Sequence, residues 1–243
     1  MIVYGRNPVA EALRGRRATS VSAVWATSGA AREPWLVSVA VRRADAAQIE
    51  RLCGSPSHQG ICAEVGPYPY AGARELLSGS EPLLVALDQV QDPQNLGSIC
   101  RSAECVGAAG VVIPDRRAVA VTPVVCKASA GAVEHLRVAR VRNLADFLGE
   151  AREAGCWCYG AVAPELEPPE GTRPARRYDE PDYRGAGVVL VLGSEGRGLR
   201  PRVASACDEL ISLPQRGRVS SLGVSAAAGA LLYEILQNRE GEP

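Results

Sequence analysis

The chain has 243 residues, 47% apolar and 22% charged, which suits one or two globular domains with a sizeable core. Its formal net charge is zero, so no global field marks it as a nucleic-acid binder. No apolar stretch reaches the roughly 20 residues a bilayer span needs, and the eight cysteines include no Cys-x-x-Cys pair for zinc or redox work. No metal site is expected. Met1-Ile-Val-Tyr lacks a basic region before an apolar core, so no secretory leader is read there. With reduced cysteines in apolar runs, this leads to an expected cytoplasmic location and no membrane partner. Lys127 is the only lysine; the other 26 cations are arginines. Residues 1–66 hold eight Arg against five acids, a surplus compatible with an RNA-contacting front end.

In chain order, residues 7–14 read as a short helix with Asn7 as N-cap and Pro8 at its first position. Residues 21–27 and 36–41 are strand-like, 44–52 helical, and 61–65 a further strand after a turn-rich stretch. Gly66-Pro-Tyr-Pro-Tyr-Ala-Gly72 is aperiodic and Pro-rich, so the domains are drawn as 1–66, a linker 67–81, and 82–243. Beyond it, apolar runs at 83–88, 110–114, 138–141, 156–162, 187–192 and 209–213 alternate with helical patterns at 93–106, 123–130, 144–154, 200–206 and 224–238. Continuous apolar strands separated by helices predict a parallel sheet covered on both faces. Residues 164–185 are rich in Pro, Glu and Arg and read as an exposed loop. The fold class is therefore α/β, with a small N-terminal unit and a larger parallel-sheet domain.

Three segments follow apolar runs where such sheets bind ligands. In the first, Asp92 caps a helix begun by Pro93, which puts Asn95 in the first turn among outward-pointing N–H groups. Leu96, Ile99, Cys100, Ala103 and Val106 form its buried stripe, so Arg101 falls off that stripe. The second has glycines at 193, 196 and 198 around Glu195, a turn that lets a ligand approach the backbone. Its G-x-x-G-x-G spacing is not the dinucleotide fingerprint G-x-G-x-x-G. In the third, Leu213-Pro214 ends a strand, Ser220 and Ser221 are candidate donors, and Ser225 is a candidate N-cap for the last helix. Taken one at a time, Asn95, Arg101 and Glu195 also fit plain capping or solvated roles.

Jointly these segments resemble the three motifs of the SpoU (TrmH-type) RNA ribose 2′-O-methyltransferases of the SPOUT class. Asp92-Pro-x-Asn-x-Gly-x-Ile-x-Arg101 looks like the first, Leu192-Gly-Ser-Glu-Gly-x-Gly-Leu199 the second, and Ile211-Ser-Leu-Pro with Ser-Ser-Leu-x-Val-Ser225 the third. Gly5-Arg-Asn-Pro-Val, His58-Gln-Gly-Ile61 and Lys127-Ala-Ser-Ala-Gly are similar to the branch that methylates a guanosine of 23S ribosomal RNA. The resemblance implies an N-terminal RNA-binding domain of L30e/L7Ae-like type and a trefoil-knotted catalytic domain. It also implies S-adenosylmethionine held near Gly193, Ile211, Leu213, Ser220 and Leu222, and a homodimer through the closing helix. By the same resemblance Arg101 is catalytic, as base or phosphate clamp, with Asn95, Glu195 and Ser221 positioning it and the RNA. Transfer RNA is the alternative substrate. This sequence departs from the pattern at Gly223, where the family carries Asn, which leaves room for a weakened enzyme or a non-catalytic RNA-binding or ribosome-assembly protein. A Rossmann-type nucleotide enzyme is the remaining alternative.

Overall fold

A computed structural model describes residues 1–164, 174–218 and 221–241. In chain order the first strands and helices are β1 (Ile2–Tyr4), α1 (Arg6–Arg14), β2 (Val21–Ala26), β3 (Val41–Arg43), α2 (Ala46–Cys53) and β4 (Ile61–Val65). There follow α3 (Ala73–Leu76), β5 (Leu83–Asp88), α4 (Pro93–Cys105), β6 (Gly110–Pro114), α5 (Pro123–Ala128), β7 (Val138–Val141) and α6 (Leu144–Glu153). The last are β8 (Cys156–Ala161), β9 (Arg176–Arg177), β10 (Gly187–Gly193), α7 (Pro201–Ala204), β11 (Glu209–Ser212) and α8 (Val224–Glu240). Contacts gather them into two units, Met1–Pro69 with Val121–His135, and Tyr70–Ala120 with Leu136–Pro243.

The smaller unit is a four-stranded sheet ordered β1-β4-β2-β3, with β4 antiparallel to β1 and β2, and β3 parallel to β2. The segment 123–130, expected in the C-terminal domain, forms α5 and packs here. The reason is a buried ion pair. Arg17 Nε donates to Glu134 Oε2 at 2.9 Å, and Arg17 Nη2 donates to Glu134 Oε1. The two side chains are 2% and 0% exposed. Arg17 Nη1 also donates to Gly66 O at 3.2 Å, and the Tyr68 ring lies 5.5 Å from the guanidinium carbon. Buried charges of this kind persist only when paired and hydrogen-bonded, so Arg17 ties Val121–His135 to this unit.

Three local expectations change here. Asn7 does not cap α1: Gly5 does, at φ 98°, with Arg6 N donating to Gln59 Oε1 at 2.9 Å. Pro8 is still tolerated, because the first-turn N–H groups have no helical acceptor anyway. Residues 36–40 are not a strand; β3 begins only at Val41. Pro34 starts a tight turn, Val39 N bonds back to Leu36 O at 3.0 Å, and Val37 is 89% exposed. The stretch 67–81 carries structure: the Tyr68 hydroxyl donates to Val133 O at 3.0 Å, and α3 forms from Ala73. β1 was not foreseen either, since three residues are too few to show a period.

The larger unit is a seven-stranded sheet ordered β7-β6-β5-β10-β8-β11-β9, parallel throughout. Its central strands are buried end to end, as in Leu84-Val85-Ala86-Leu87 and Val188-Val189-Leu190-Val191. Each fully buried aliphatic side chain contributes roughly 1.5–3 kcal/mol, which makes this sheet the stability centre of its unit. From β5 the chain runs outward through β6 to β7, then crosses to the other side for β8, with β10 inserted between β5 and β8. The order therefore reverses at β5, and the crevice outside the carboxyl ends of β5, β10, β8 and β11 is where such a sheet binds ligands.

The stretch 164–185 is not simply an exposed loop. Residues 165–173 lie outside the described set, but β9 pairs with β11, and Tyr183 is 1% exposed. Tyr183 N donates to Asn238 Oδ1 at 2.9 Å, and Arg239 Nε donates to Tyr183 O at 3.1 Å. The end of α8 thus fastens this stretch, and sequence periodicity carries no trace of so distant a partner.

Candidate active site

Asp92 Oδ1 accepts from Gln94 N at 2.8 Å and starts α4, with Pro93 in the first position. Leu96, Ile99, Cys100 and Ala103 bury one face, as the spacing predicts. Asn95, half-buried in the first turn, then faces the carboxyl end of β10. Its Nδ2 donates to Glu195 Oε1 at 3.0 Å.

Glu195 is held by a tight turn after β10. Ser194 N donates to Gly198 O at 3.2 Å and Gly198 N to Ser194 O at 2.9 Å, with Gly196 and Gly198 at φ 78° and 64°. Gly193 admits no side chain, because a Cβ there would stand 2.1 Å from Gly198 C and 2.4 Å from Leu199 N. The exit of the turn is pinned to the end of β5. Asp88, whose side chain is fully buried, accepts from Arg200 N at 2.8 Å and from Arg200 Nη2 at 2.7 Å.

Two cavities meet at this turn. One, of about 370 Å³, is lined by the ends of β8, β10 and β11 and the start of α8, including Gly193, Ile211, Leu213, Gln215, Ser221 and Leu222. The other, of about 470 Å³, is lined by Gln89, Gln91, Asp92, Asn95 and Arg197. Ser194, Glu195 and Val224 line both, and Glu195 is the titratable side chain they share.

The structure brings together Asn95, Glu195, Gly193, Ile211, Leu213, Ser221 and Leu222. Arg101 is not among them. It sits about 120° around the α4 axis from Asn95, is exposed, and lines neither cavity. Ser220 lies outside the described residues. Ser221 Oγ accepts from Gly223 N at 3.2 Å, a local turn rather than a contact with Arg101. Ser225 is not the N-cap of α8. Gly223 is, at φ 82° and ψ 142° and with no side-chain cap, because the chain must turn sharply from the cavity rim into the helix. Among the described residues, a Cβ at 223 would reach only Glu195 Oε1, at 4.0 Å.

The family model described as SpoU rRNA Methylase family matches residues 82–233, well over half of the chain. The chain belongs to this family. A second model, described as RNA 2′-O ribose methyltransferase substrate binding, matches residues 2–71 of this SpoU-family chain. YacO of Bacillus subtilis, assigned to the TrmH family of tRNA/rRNA methyltransferases, is 44% identical over 75% of this chain and 71% of its own length. An uncharacterized tRNA/rRNA methyltransferase of Mycobacterium avium is 38% identical, covering 98% and 78%. An AdoMet-bound rRNA methyltransferase from Sinorhizobium meliloti has the same fold, with a TM-score of 0.77 and 25% identity over 96% of this chain and 85% of that one. A TrmH-family RNA methyltransferase structure from Porphyromonas gingivalis gives 0.75 and 27%, over 98% and 89%.

Sequence reasoning missed three contributors in this SpoU-family site: Asp88, Arg200 and Gln215. A carboxylate closing an otherwise apolar strand was the available signal for Asp88, since a buried acid demands a partner. Gln215 left no signal at all; its buried Oε1 has no hydrogen-bond partner among the described residues.

Proposed function

We propose that this chain is an S-adenosylmethionine-dependent RNA methyltransferase acting on a ribose 2′-hydroxyl, most of all a guanosine of 23S ribosomal RNA. The observation that carries the reading is the pair of cavities sharing Glu195 at the sheet's switch point, in a chain of the SpoU family. The cofactor is assigned to the 370 Å³ cavity at the ends of β8, β10 and β11, whose size falls in the range of small-molecule sites. The residues there fit it. Gly193 lets the Gly198–Leu199 backbone close against the strand end and shape the cavity wall, and Gln215 Oε1, with no hydrogen-bond partner among the described residues, offers an acceptor to the N–H groups of the cofactor. An unmet buried carbonyl costs about 1–3 kcal/mol, which a bound donor relieves.

When bound, S-adenosylmethionine supplies a methyl group on a sulfonium centre. Glu195 would take up the proton that the ribose 2′-hydroxyl loses as it accepts the methyl group, ending as a protonated carboxyl. Asn95, donating to Oε1, holds that carboxylate in one orientation. A guanidinium stays protonated, so Arg101, which lines neither cavity, takes the role of holding an RNA phosphate outside them. Ser221 shapes the cavity rim through its bond to Gly223 N.

Further parts of the reading rest on the family. The segment from β11 into α8 is proposed to pass through the trefoil knot that this family carries. A homodimer is proposed through α8, where Ala226, Ala230, Tyr233 and Gln237 form one exposed stripe at helical spacing. The N-terminal unit is proposed as the RNA-binding domain, in the cytoplasm.

The test is direct. Total RNA from a strain lacking the gene is incubated with the protein and methyl-labelled S-adenosylmethionine, and the product mapped. A 2′-O-methylguanosine in 23S ribosomal RNA is expected. Label confined to transfer RNA would overturn the substrate, and neither label nor cofactor binding in calorimetry would overturn the enzyme.

A further inference from the structure

In the smaller unit a groove of about 500 Å³ lies between the edge strand β3 and α2, lined by Trp25, Arg42, Arg43, Gln48, Arg51 and Leu52. Trp25 and Arg42 are directly paired across β2 and β3, and the Arg42 guanidinium lies 5.4 Å from the centre of the indole ring. Arg42, Arg43 and Arg51 are exposed, and none has an ion-pair or side-chain hydrogen-bond partner among the described residues. The nearby acids do not neutralise them. Asp45 Oδ1 is engaged by Gln48 N at 2.8 Å as the cap of α2. Glu50 projects from the side of α2 opposite to Gln48, Arg51 and Leu52, by the 100° step of the helix.

We propose that this groove binds the sugar-phosphate backbone of the RNA substrate, with Arg42, Arg43 and Arg51 as phosphate contacts and Trp25 as the platform that fixes Arg42. The proposal rests on RNA being the substrate, and it goes beyond that reading by naming the surface. Three features favour RNA. The guanidinium fork matches a phosphate's paired oxygens where an ammonium does not. Stacking on indole removes much of the freedom Arg42 would otherwise lose on binding. Three cations without ion-pair partners among the described residues line one groove, which suits a polyanion, in a protein with no net charge to attract one from afar.

The full chain is titrated with fluorescently labelled ribosomal RNA and, separately, transfer RNA at several salt concentrations, beside the triple variant Arg42→Ala/Arg43→Ala/Arg51→Ala. For the RNA pool that the protein prefers, the variant is expected to bind at least tenfold more weakly. Its plot of log affinity against log salt should be shallower by roughly two to three. Affinity for S-adenosylmethionine should stay within about twofold. Affinity and salt slope equal to those of the parent would overturn the groove. So would a polyglutamate peptide that competes as strongly as RNA, which would mark a site for acidic proteins. Arg42→Lys/Arg43→Lys/Arg51→Lys keeps the charge, and recovery of the salt slope in it shows that the alanine variant failed through lost contacts, not misfolding. Loss of RNA affinity in the variant with no methyl transfer by the parent would leave the groove standing and sink the catalytic reading instead.

Discussion

Asn95 Nδ2 donates to Glu195 Oε1 at 3.0 Å, joining two motifs that are 100 residues apart in the chain. The bond crosses from the first turn of α4 to the turn after β10 and fixes the one titratable side chain shared by both cavities. Glu195→Gln retains an acceptor for Asn95 and removes only the proton-accepting charge. Single-turnover methyl transfer is expected to fall by about 10²- to 10⁴-fold, with calorimetric affinity for S-adenosylmethionine held within about threefold. A rate within tenfold of the parent would remove Glu195 from the proton-transfer role.

The second prediction concerns the cofactor cavity. Gly193→Ala forces a methyl group against the Gly198 and Leu199 backbone, which cannot yield as a flexible side chain would. Overpacking of this sort costs about 1–3 kcal/mol, so cofactor affinity should drop by roughly tenfold or more. Gln215→Leu keeps the volume and deletes the buried acceptor, for an expected loss near fivefold, equivalent to about 1 kcal/mol. Isothermal titration of both variants checks the order; equal affinity for Gln215→Leu and the parent would remove that residue from the contact.

Gly223→Asn places the residue usual in the family into this backbone. The added Cβ is not crowded, meeting only Glu195 Oε1, at 4.0 Å, among the described residues. The conformation is the obstacle: φ 82° with ψ 142° lies in territory nearly reserved for glycine, and an L-residue there costs about 1–3 kcal/mol. The expected outcome is a lower denaturation midpoint with no gain in turnover. A rise in both would show that the start of α8 rearranges to accept the side chain.

In the smaller unit, the Arg17 guanidinium is opposed by burial, yet the hydrogen bonds and charge of Glu134 outweigh this and raise its pKa. Removing one partner strands the other charge, at a cost of about 3–5 kcal/mol for Glu134→Leu or Arg17→Met. The double variant Arg17→Met/Glu134→Leu should recover much of that loss. Urea unfolding of the three variants measures it; a double variant as unstable as the sum of the singles would contradict the coupling.

Burial pushes the thiols of Cys62, Cys126 and Cys207 up to about 12, from an ordinary value near 9. Between those values the unfolded chain has released protons that the folded chain retains, so stability falls as pH rises. It is fully present below about pH 9 and lost as pH climbs through about 12. Urea midpoints at pH 8 and 10.5 should show the decline. At pH 8 an alkylating reagent should reach exposed Cys105 well before Cys62 or Cys126.

The sequence by itself determined the alternation of apolar strands and helices, the helix-starting turn at Asp92-Pro93 and the glycine turn at 193–198, because each depends on neighbours within a few residues. Apolar runs of four to seven residues, a cap and a proline at the first helical position are local physics. It also brought forward Asn95, Glu195 and Gly193 as site residues through their motifs. What it could not determine were partnerships across the chain. Arg17 with Glu134, Asp88 with Arg200, and the capture of Tyr183 by Asn238 and Arg239 leave no periodic trace, since any of those polar residues reads equally well as solvated. Helix phase likewise decided that Arg101, six residues past Asn95, turns away from the cavities that Asn95 faces. Only the tertiary structure could bring two cavities to one carboxylate, because the strand order that joins them is a property of crossovers and not of any segment.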